Sequence, residues 1–478
     1  MLINGKYVKG KGAEILVENP ATAKAITSIP GASVEQAEAA LQAAQSSFHE
    51  WSHSSLSERI KWIYRLRDAC LREKDAIVDI MSQECGRNRS NAEAGLDFNA
   101  FISCFEYYAE EAKRVYATGL PEYDGKLGNF HVVIKRPVGV VVAHLAWNMP
   151  MRNLGIKLAA SMASGCTCVL KPSTFTPLAT LKVAELAAEI QLPAGVVNII
   201  TGPSSVIGKY LNESPIPALV SVIGSTEVGL EVIRQAAKSS VKHYSMELGG
   251  NAPAIIMPDA DLDDAASWLV SRKVRTAGQG CANVNRFYVH DDVYDSFVEK
   301  VVRYISAVPV GWGDDYPDAM GPVMTLSARD RILNLVEDSV ARGAKVLYGG
   351  KIPELPAHLK NGSFIMPTVL DGVTDDMPIV RQEIFGPICP LLRFNDLDDV
   401  IRRSNDTSYG LYCYLFTHDS RVIGKCVEEI QSGVLQVNLP GGGPNMPHVG
   451  MKNSGIGSDY GPWSLEEYYN IRRISIQP

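Results

Sequence analysis

Long hydrophobic runs are scarce in these 478 residues. The most apolar stretch, Pro137 to Met151, is broken by His144 and Asn148. It falls short of the roughly 20 residues that a bilayer-spanning helix needs. The lysine near the start is not followed by the apolar segment of a secretory signal. An excess of positive charge is also missing: 46 Lys and Arg stand against 53 Asp and Glu, a net charge of −7. A mildly acidic chain of this kind is expected to bind neither nucleic acid nor an anionic membrane. Metal-type spacing is absent too. Cys166 and Cys168 form the only close cysteine pair, with no second His/Cys pair near them. No metal site is therefore expected, and both thiols read as buried core. Nine cysteines in a long chain without secretory features point to reduced thiols and a cytoplasmic location. There is no internal repeat and no low-complexity tract. With 46% hydrophobic and 21% charged residues the composition is that of a folded globular protein. Its length suits about three domains.

The hydrophobic pattern is that of an α/β protein. Helical spacing dominates up to about Ala117. Ser33 with Gln36 forms a capping box, and Val34, Ala37, Leu41, Ala44 and Phe48 recur on one face behind it. Residues 93–117 form a second long helical candidate. Residues 118–135 differ, with Gly and Pro first and a strand-like run 131–135 after them. From Val138 strands alternate with helices, at 139–144, 166–170, 196–200, 219–223 and 242–248. Apolar strands with helical crossovers imply a parallel sheet covered on both faces, which takes ligands at the carboxyl ends of its strands. A second alternating region, 252–438, offers strands at 254–257, 287–290, 345–348, 389–393, 413–416 and 434–437, followed by a Gly-rich loop at 440–444. The tail, 469–478, reads as one exposed strand. An exposed edge strand invites pairing, so the tail and the 118–135 excursion favour subunit assembly over a surface hairpin.

Six short motifs stand at strand ends or in loops between elements. Ala146-Trp147-Asn148-Met149-Pro150 offers an amide that could donate to a developing oxyanion, or merely a turn before proline. Val169-Leu170-Lys171-Pro172-Ser173-Thr174 brings a lysine and two hydroxyls suited to a ribose or phosphate, or is a polar loop. In Gly224-Ser225-Thr226-Glu227-Val228-Gly229 a Gly-Ser turn opens a helix, which favours a pyrophosphate although the G-x-G-x-x-G fingerprint is absent. Glu247-Leu248-Gly249-Gly250-Asn251 holds a carboxylate that could act as a general base, or sits on the surface. Gly278-Gln279-Gly280-Cys281 sets the only cysteine in a small, polar context, as a nucleophilic thiol requires. Gln382-Glu383-Ile384-Phe385-Gly386-Pro387 is a turn with one acid and one aromatic.

Taken together and in this order, these motifs resemble the aldehyde dehydrogenase superfamily, and the 34 residues between Glu247 and Cys281 match it as well. The resemblance runs from Ile3-Asn4-Gly5 to Lys452-Asn453-Ser454-Gly455-Ile456-Gly457. It implies a dinucleotide-binding domain (1–117 and 138–247), an α/β catalytic domain (248–450) and a small β oligomerisation flap (118–137 and 466–478). It implies NAD(P)-dependent, non-acylating oxidation of an aldehyde. Cys281 is then the nucleophile, Asn148 with the Cys281 N–H the oxyanion hole, and Glu247 the base that activates water. Lys171 resembles the ligand of the adenosine ribose, Trp147 a wall of the nucleotide cleft, and Ser225, with Gly224, the pyrophosphate contact. Glu383 resembles the ligand of the nicotinamide ribose, with Phe385 beside it. The expected partners are a small aldehyde and further copies of the chain, as dimer or tetramer.

Three departures shape the expectations. Thr174 replaces the Glu usual in NAD-preferring relatives, which removes repulsion of a 2′-phosphate. With Ser173 and Lys171 nearby, NADP is expected to be accepted alongside or ahead of NAD. Ala146 replaces a common Pro. Pro447-His448-Val449-Gly450 replaces the usual Pro-Phe-Gly-Gly, which makes His448 a polar candidate in the substrate tunnel. Arg152, four residues after Asn148, would face that tunnel if a helix begins at Pro150 and would then select a carboxylate- or hydroxyl-bearing aldehyde; equally, it reads as a solvated arginine or part of an internal ion pair. A substrate of lactaldehyde or succinate semialdehyde size is expected, with an aromatic aldehyde as the alternative. A non-catalytic protein or a cofactor-independent thiol hydrolase on the same scaffold are the competing readings.

Overall fold

The computed structural model describes residues 1–90, 93–122, 129–438 and 441–477. Its first sheet is built from the five strands read from the sequence, with ends moved by one or two residues: Val140–His144, Thr167–Lys171, Val197–Ile199, Pro217–Ile223 and His243–Glu247. All five are parallel. In chain order they lie 3-2-1-4-5 across the sheet, the arrangement of a doubly wound nucleotide-binding sheet, with its crevice where the order reverses beside Val140–His144. The near-continuous Val and Ile content follows from this, because both faces are covered and both must be apolar.

Residues before Ser33 depart from the expected helical pattern. They form two antiparallel pairs, Leu2–Ile3 with Lys6–Tyr7 and Glu14–Asn19 with Lys24–Pro30. Glu14–Asn19 alternates exposed and buried residues along its length, the period of a strand. The turn of the first pair is Asn4-Gly5, both in the left-handed region, as a two-residue hairpin requires. Leu2 then pairs with Ile199 at one edge of the parallel sheet. The capping box at Ser33 is present, opening the helix Val34–His53. The second long helix runs Ala94–Glu111 and ends in a short tight turn, Ala112–Arg114.

The helix Pro150–Ser164 carries the Asn148 loop. Proline at its first position and Gly165 in the left-handed region at its end bound it. It is buried on nearly every side, so small residues set its packing distance. A Cβ on Gly155 would lie 3.0 Å from the Phe101 carbonyl oxygen on Ala94–Glu111. The ring of Phe101 meets Phe105 edge to face at 4.9 Å in the core between these helices.

The second sheet has the order Lys345–Tyr348, Thr368–Asp371, Ile388–Phe394, Val284–His290, Ala252–Ile256, Tyr412–Phe416, Val434–Val437. Only the first pair is antiparallel. Thr368–Asp371 is an addition to the strands expected. Successive residues bury on opposite faces: Ile255, Tyr288 and Leu415 in one core, Ile256, Phe287 and Phe416 in the other. A third sheet joins Tyr469–Ile476 to Phe130–Pro137 and Thr118–Leu120, all antiparallel. Residues 123–128, within the expected flap, Pro440, at the start of the Gly-rich loop, and Pro478 lie outside the described residues. No helix among the described residues is long and apolar enough to cross a membrane.

The tight crossing at Gly155 generates a prediction. Gly155→Leu overpacks the interface with Phe101 and should lower stability by about 1–3 kcal/mol, read as an earlier midpoint in chemical denaturation.

Candidate active site

Strand register aligns the carboxyl edge of the first sheet. Val222 stands opposite His144, His144 opposite Lys171, and Ile223 opposite Glu247. The loops carrying Trp147-Asn148, Ser173-Thr174, Gly224-Ser225 and Gly249-Gly250 therefore leave the sheet side by side. Two groups of candidate residues result.

The first group has the character of a nucleotide site. Lys171 is 3% exposed and its Nζ donates to Ser204 Oγ at 3.0 Å. Burial lowers its pKa to about 8, with no carboxylate near enough to offset it. A buried ammonium without a counter-charge is costly unless a ligand solvates it, so this position fits phosphate or ribose oxygens. Ser173 and Thr174 follow, both partly exposed. His144 behind Lys171 stays neutral, its pKa lowered to about 4 by burial and by the Lys171 charge. Ser225 caps the helix Thr226–Ala236, whose free N–H groups and positive end suit an anion. On the opposite wall Glu383 accepts the Gly250 N–H at 2.9 Å, and burial pushes its pKa up to about 7. Asn285 holds this turn, taking the Ile384 N–H at 3.3 Å and donating to the Gln382 carbonyl at 2.9 Å. Phe385, at φ 51°, meets Trp147 edge to face at 5.5 Å.

The second group surrounds Cys281. Among nine free cysteines, eight are buried and Cys281 alone is partly exposed. Its loop is strained: Thr276, Ala277 and Gly278 have φ of 53°, 50° and 76°. For Thr and Ala this region is disfavoured. The Glu93 carboxylate clamps it by accepting the Thr276 N–H at 3.0 Å, and Gln279 ties it to the Met324 N–H at 2.8 Å. Asn148 is buried and its Nδ2 donates to the Gln279 carbonyl at 3.3 Å, which leaves its second amide hydrogen free. Asn153, five residues on, donates to the Ala146 carbonyl at 3.2 Å and reaches Asn148 Oδ1 at 3.5 Å, which fixes the amide.

Glu247 ends its strand at 6% exposure, so it is not a surface glutamate. Its Oε1 lies 2.9 Å from His448 Nε2, and the same nitrogen is 3.7 Å from Cys281 Sγ. His448 Nδ1 is 3.0 Å from the Tyr412 hydroxyl. The histidine expected to line the tunnel thus sits inside the reacting cluster. Burial pushes the Cys281 thiol well above its ordinary pKa, and Glu247, within hydrogen-bond reach of it, and Glu383 push in the same direction. Arg152 lies in the first turn of the Pro150–Ser164 helix, as expected. Its N–H donates to Asp97 Oδ1 at 2.8 Å, and Arg87 takes the other oxygen of Asp97 at 3.5 Å. The Arg152 guanidinium interacts electrostatically with Tyr460 first, then with Asp97, Cys104 and Cys281, and its Nε is buried without a hydrogen-bond partner.

Sequence reasoning assigned no role to Glu93, Asn153, Ser204, Gln279 or Tyr412. Asn153 and Gln279 had a local signal, the first five residues past Asn148 and the second inside the Cys281 motif. The others come from distant segments and have none.

A parallel nucleotide-binding sheet joined to a partly exposed thiol, a buried carboxylate and a buried amide points to a cofactor-dependent enzyme that works through a cysteine. Residues 7–474 match the model of the aldehyde dehydrogenase family, and the chain belongs to that family. It is an NAD(P)-dependent enzyme that oxidises an aldehyde to a carboxylic acid. A succinate-semialdehyde dehydrogenase [NADP(+)] of Escherichia coli is 35% identical, over 99% of this chain and 97% of that one. A glutarate-semialdehyde dehydrogenase of Pseudomonas putida is 34% identical, over 99% and 97%. Among solved structures, an NADP-dependent enzyme of E. coli superimposes with a TM-score of 0.95 at 35% identity, covering 100% of this chain and 98% of the other.

The accessibility of the thiols gives a direct check. Brief treatment of the native enzyme with iodoacetamide should label one cysteine of nine, Cys281, by peptide mass mapping; labelling spread over several would contradict this packing.

Proposed function

We propose that the chain oxidises a small semialdehyde carrying a carboxylate, with NADP accepted at least as well as NAD. The observation that carries this reading is the convergence of Cys281, Glu247 and Asn148 beside a buried arginine without an assigned partner for its Nε. Cys281 Sγ adds to the aldehyde carbon. The second Asn148 amide hydrogen and the Cys281 N–H hold the oxygen as it becomes an alkoxide. Bound NAD(P) supplies the hydride acceptor that turns the thiohemiacetal into a thioester. Glu247 then takes a proton from the water that attacks the thioester, and the carboxylic acid leaves. Lys171, Ser173, Thr174, Gly224, Ser225 and Trp147 would hold the adenosine and pyrophosphate end of the cofactor, and Glu383 with Phe385 the nicotinamide end.

The substrate class rests on Arg152, whose Nε is buried without a hydrogen-bond partner and whose charge reaches Cys281. The semialdehyde names of the two relatives support the same class. His448 adds a polar group where an aromatic aldehyde would want an apolar wall. The 1–117 and 138–247 segments serve as the cofactor domain and 248–450 as the catalytic one. The three-stranded sheet of 118–137 and 466–478 would be the assembly flap. Its strand Tyr469–Ile476 leaves an edge unpaired among the described residues and exposes Ile471 and Ile476, which supports a homo-oligomer. Nine free thiols support a reducing, cytoplasmic setting.

Two substitutions test this. Arg152→Met should raise KM for succinate semialdehyde about tenfold or more, the value of one charge-assisted hydrogen bond, and leave KM for uncharged butyraldehyde nearly unchanged. Equal effects on both aldehydes would remove Arg152 from substrate selection. Thr174→Glu should raise KM for NADP about tenfold or more by repulsion of the 2′-phosphate, with NAD little affected. Steady-state rates of reduced-cofactor formation read both.

A further inference from the structure

Two proton transfers fall near Glu247. A proton must leave Sγ as the C–S bond forms, and burial with the two carboxylates favours the S–H form of Cys281. If Glu247 received that proton, it would have to release it before it could activate water. A second acceptor close to sulfur, holding the proton through both half-reactions, leaves Glu247 free for water. One residue is in place.

We propose that His448 is a further catalytic residue of this reaction: its Nε2, 3.7 Å from Cys281 Sγ and 2.9 Å from Glu247 Oε1, holds the thiol proton from the addition step until the thiolate leaves. This deepens the dehydrogenase reading and rests on it. In the addition step the S–H bond breaks, an N–H bond forms, sulfur bonds to the carbonyl carbon and the π electrons move to oxygen. The imidazolium so formed faces the Glu247 carboxylate at 2.9 Å, a charge-assisted contact. In the hydrolytic step Glu247 accepts a proton from water as its oxygen bonds to the thioester carbon. The C–S bond then breaks and the imidazolium proton returns to sulfur. Glu247 afterwards releases its proton to solvent. Protons balance, and the base and the acid of the second step are two different groups.

The surroundings of His448 fit the role. Tyr412 meets Nδ1 at 3.0 Å, and a phenol both donates and accepts, so the ring can carry its proton on either nitrogen. The ring of Tyr412 also packs against the imidazole at 5.1 Å between centroids. The titratable groups facing His448 are Glu247, Cys281 and Tyr412. Asp459, its neighbour across the strand pair, is committed to Lys157. Glu383 and Arg152 act on Cys281 from further out. A Nε2–Sγ distance of 3.7 Å is long for a resting enzyme, and such contacts tighten when substrate binds.

The test uses the whole enzyme and His448→Phe, which keeps a ring against Tyr412, with His448→Gln as a second variant. Cys281 alkylation by iodoacetamide is followed from pH 6 to 10 by peptide mass mapping, without aldehyde or cofactor. Loss of the imidazole should slow alkylation at pH 7 to 8 about tenfold or more, because the thiol loses the group that takes its proton as sulfur attacks. The kcat for a semialdehyde near pH 7 should fall about a hundredfold, as for loss of a general acid–base group, and recover in part as pH rises. Cofactor affinity, read by tryptophan quenching, should not change. Alkylation rates and pH–rate profiles that match the wild type in both variants overturn the proposal. The alkylation result decides the role of His448 even if no aldehyde is oxidised, which is the outcome that sinks the dehydrogenase reading instead. Wild-type oxidation with unshifted variants leaves that reading standing and removes His448 from it.

Discussion

No side chain fits at position 250. A Cβ there would lie 2.2 Å from the carbonyl oxygen of Cys281, and one on Gly278 would lie 2.2 Å from the carbonyl oxygen of Gly386. These two backbone approaches press the nucleophile loop between the turn that follows Glu247 and the turn that follows Glu383 and Phe385. Every distance in the reacting cluster depends on them. Glu247 and Cys281 come from different sheets, and only close main-chain contact brings a carboxylate at one strand end within reach of a thiol on a loop from the other. The strain at Thr276 and Ala277 belongs to the same constraint: the chain turns in the left-handed region to enter the gap. Glu93 on the helical layer holds it there through one N–H. Bringing the loop into place therefore costs backbone energy that the surrounding hydrogen bonds offset.

Charge is distributed in a matching way. The adenosine end presents a buried cation, Lys171, with no carboxylate to neutralise it. The reacting end presents two buried carboxylates, Glu247 and Glu383, that both disfavour a thiolate at Cys281. Arg152, which interacts with Tyr460 and Asp97 before Cys281, adds a cation nearby. A buried ammonium is relieved by a ligand of opposite charge, which is the physical ground for assigning the anionic part of the cofactor to Lys171.

Much of this was legible in the sequence, and the limits have physical causes. The five strands of the first sheet stood out because buried parallel strands are continuous apolar runs, and the residues at their ends were the ones the fold lines up. The first 30 residues were misread because short strands on a sheet margin carry little apolar periodicity; the alternation in Glu14–Asn19 was present but brief. Thr368–Asp371, four residues long, gave too short a pattern to register. Cys281, Glu247 and Asn148 were found because each belongs to an ordered set of motifs. Two of their supports were not: Glu93 and Tyr412 act on Thr276 and His448 across 183 and 36 residues of chain, and nothing local marks such a contact. His448 was singled out as a departure and placed in the tunnel, and its contact with Glu247 required three-dimensional placement.

The replacement of an apolar ring by imidazole at position 448 changes what the two carboxylates can be used for. With an apolar neighbour, Glu247 and Glu383 only raise the energy of the thiolate, and the nucleophile must be generated against them. With an imidazole 3.7 Å from sulfur and 2.9 Å from Glu247, the carboxylate that opposes ionisation of the thiol lies against the ring that takes its proton. The cluster then separates charge when a carbonyl accepts the electron pair. The raised pKa of Cys281 and the presence of His448 are therefore two halves of one arrangement: burial and the carboxylates keep the proton on sulfur, and the imidazole gives it somewhere to go when an electrophile arrives.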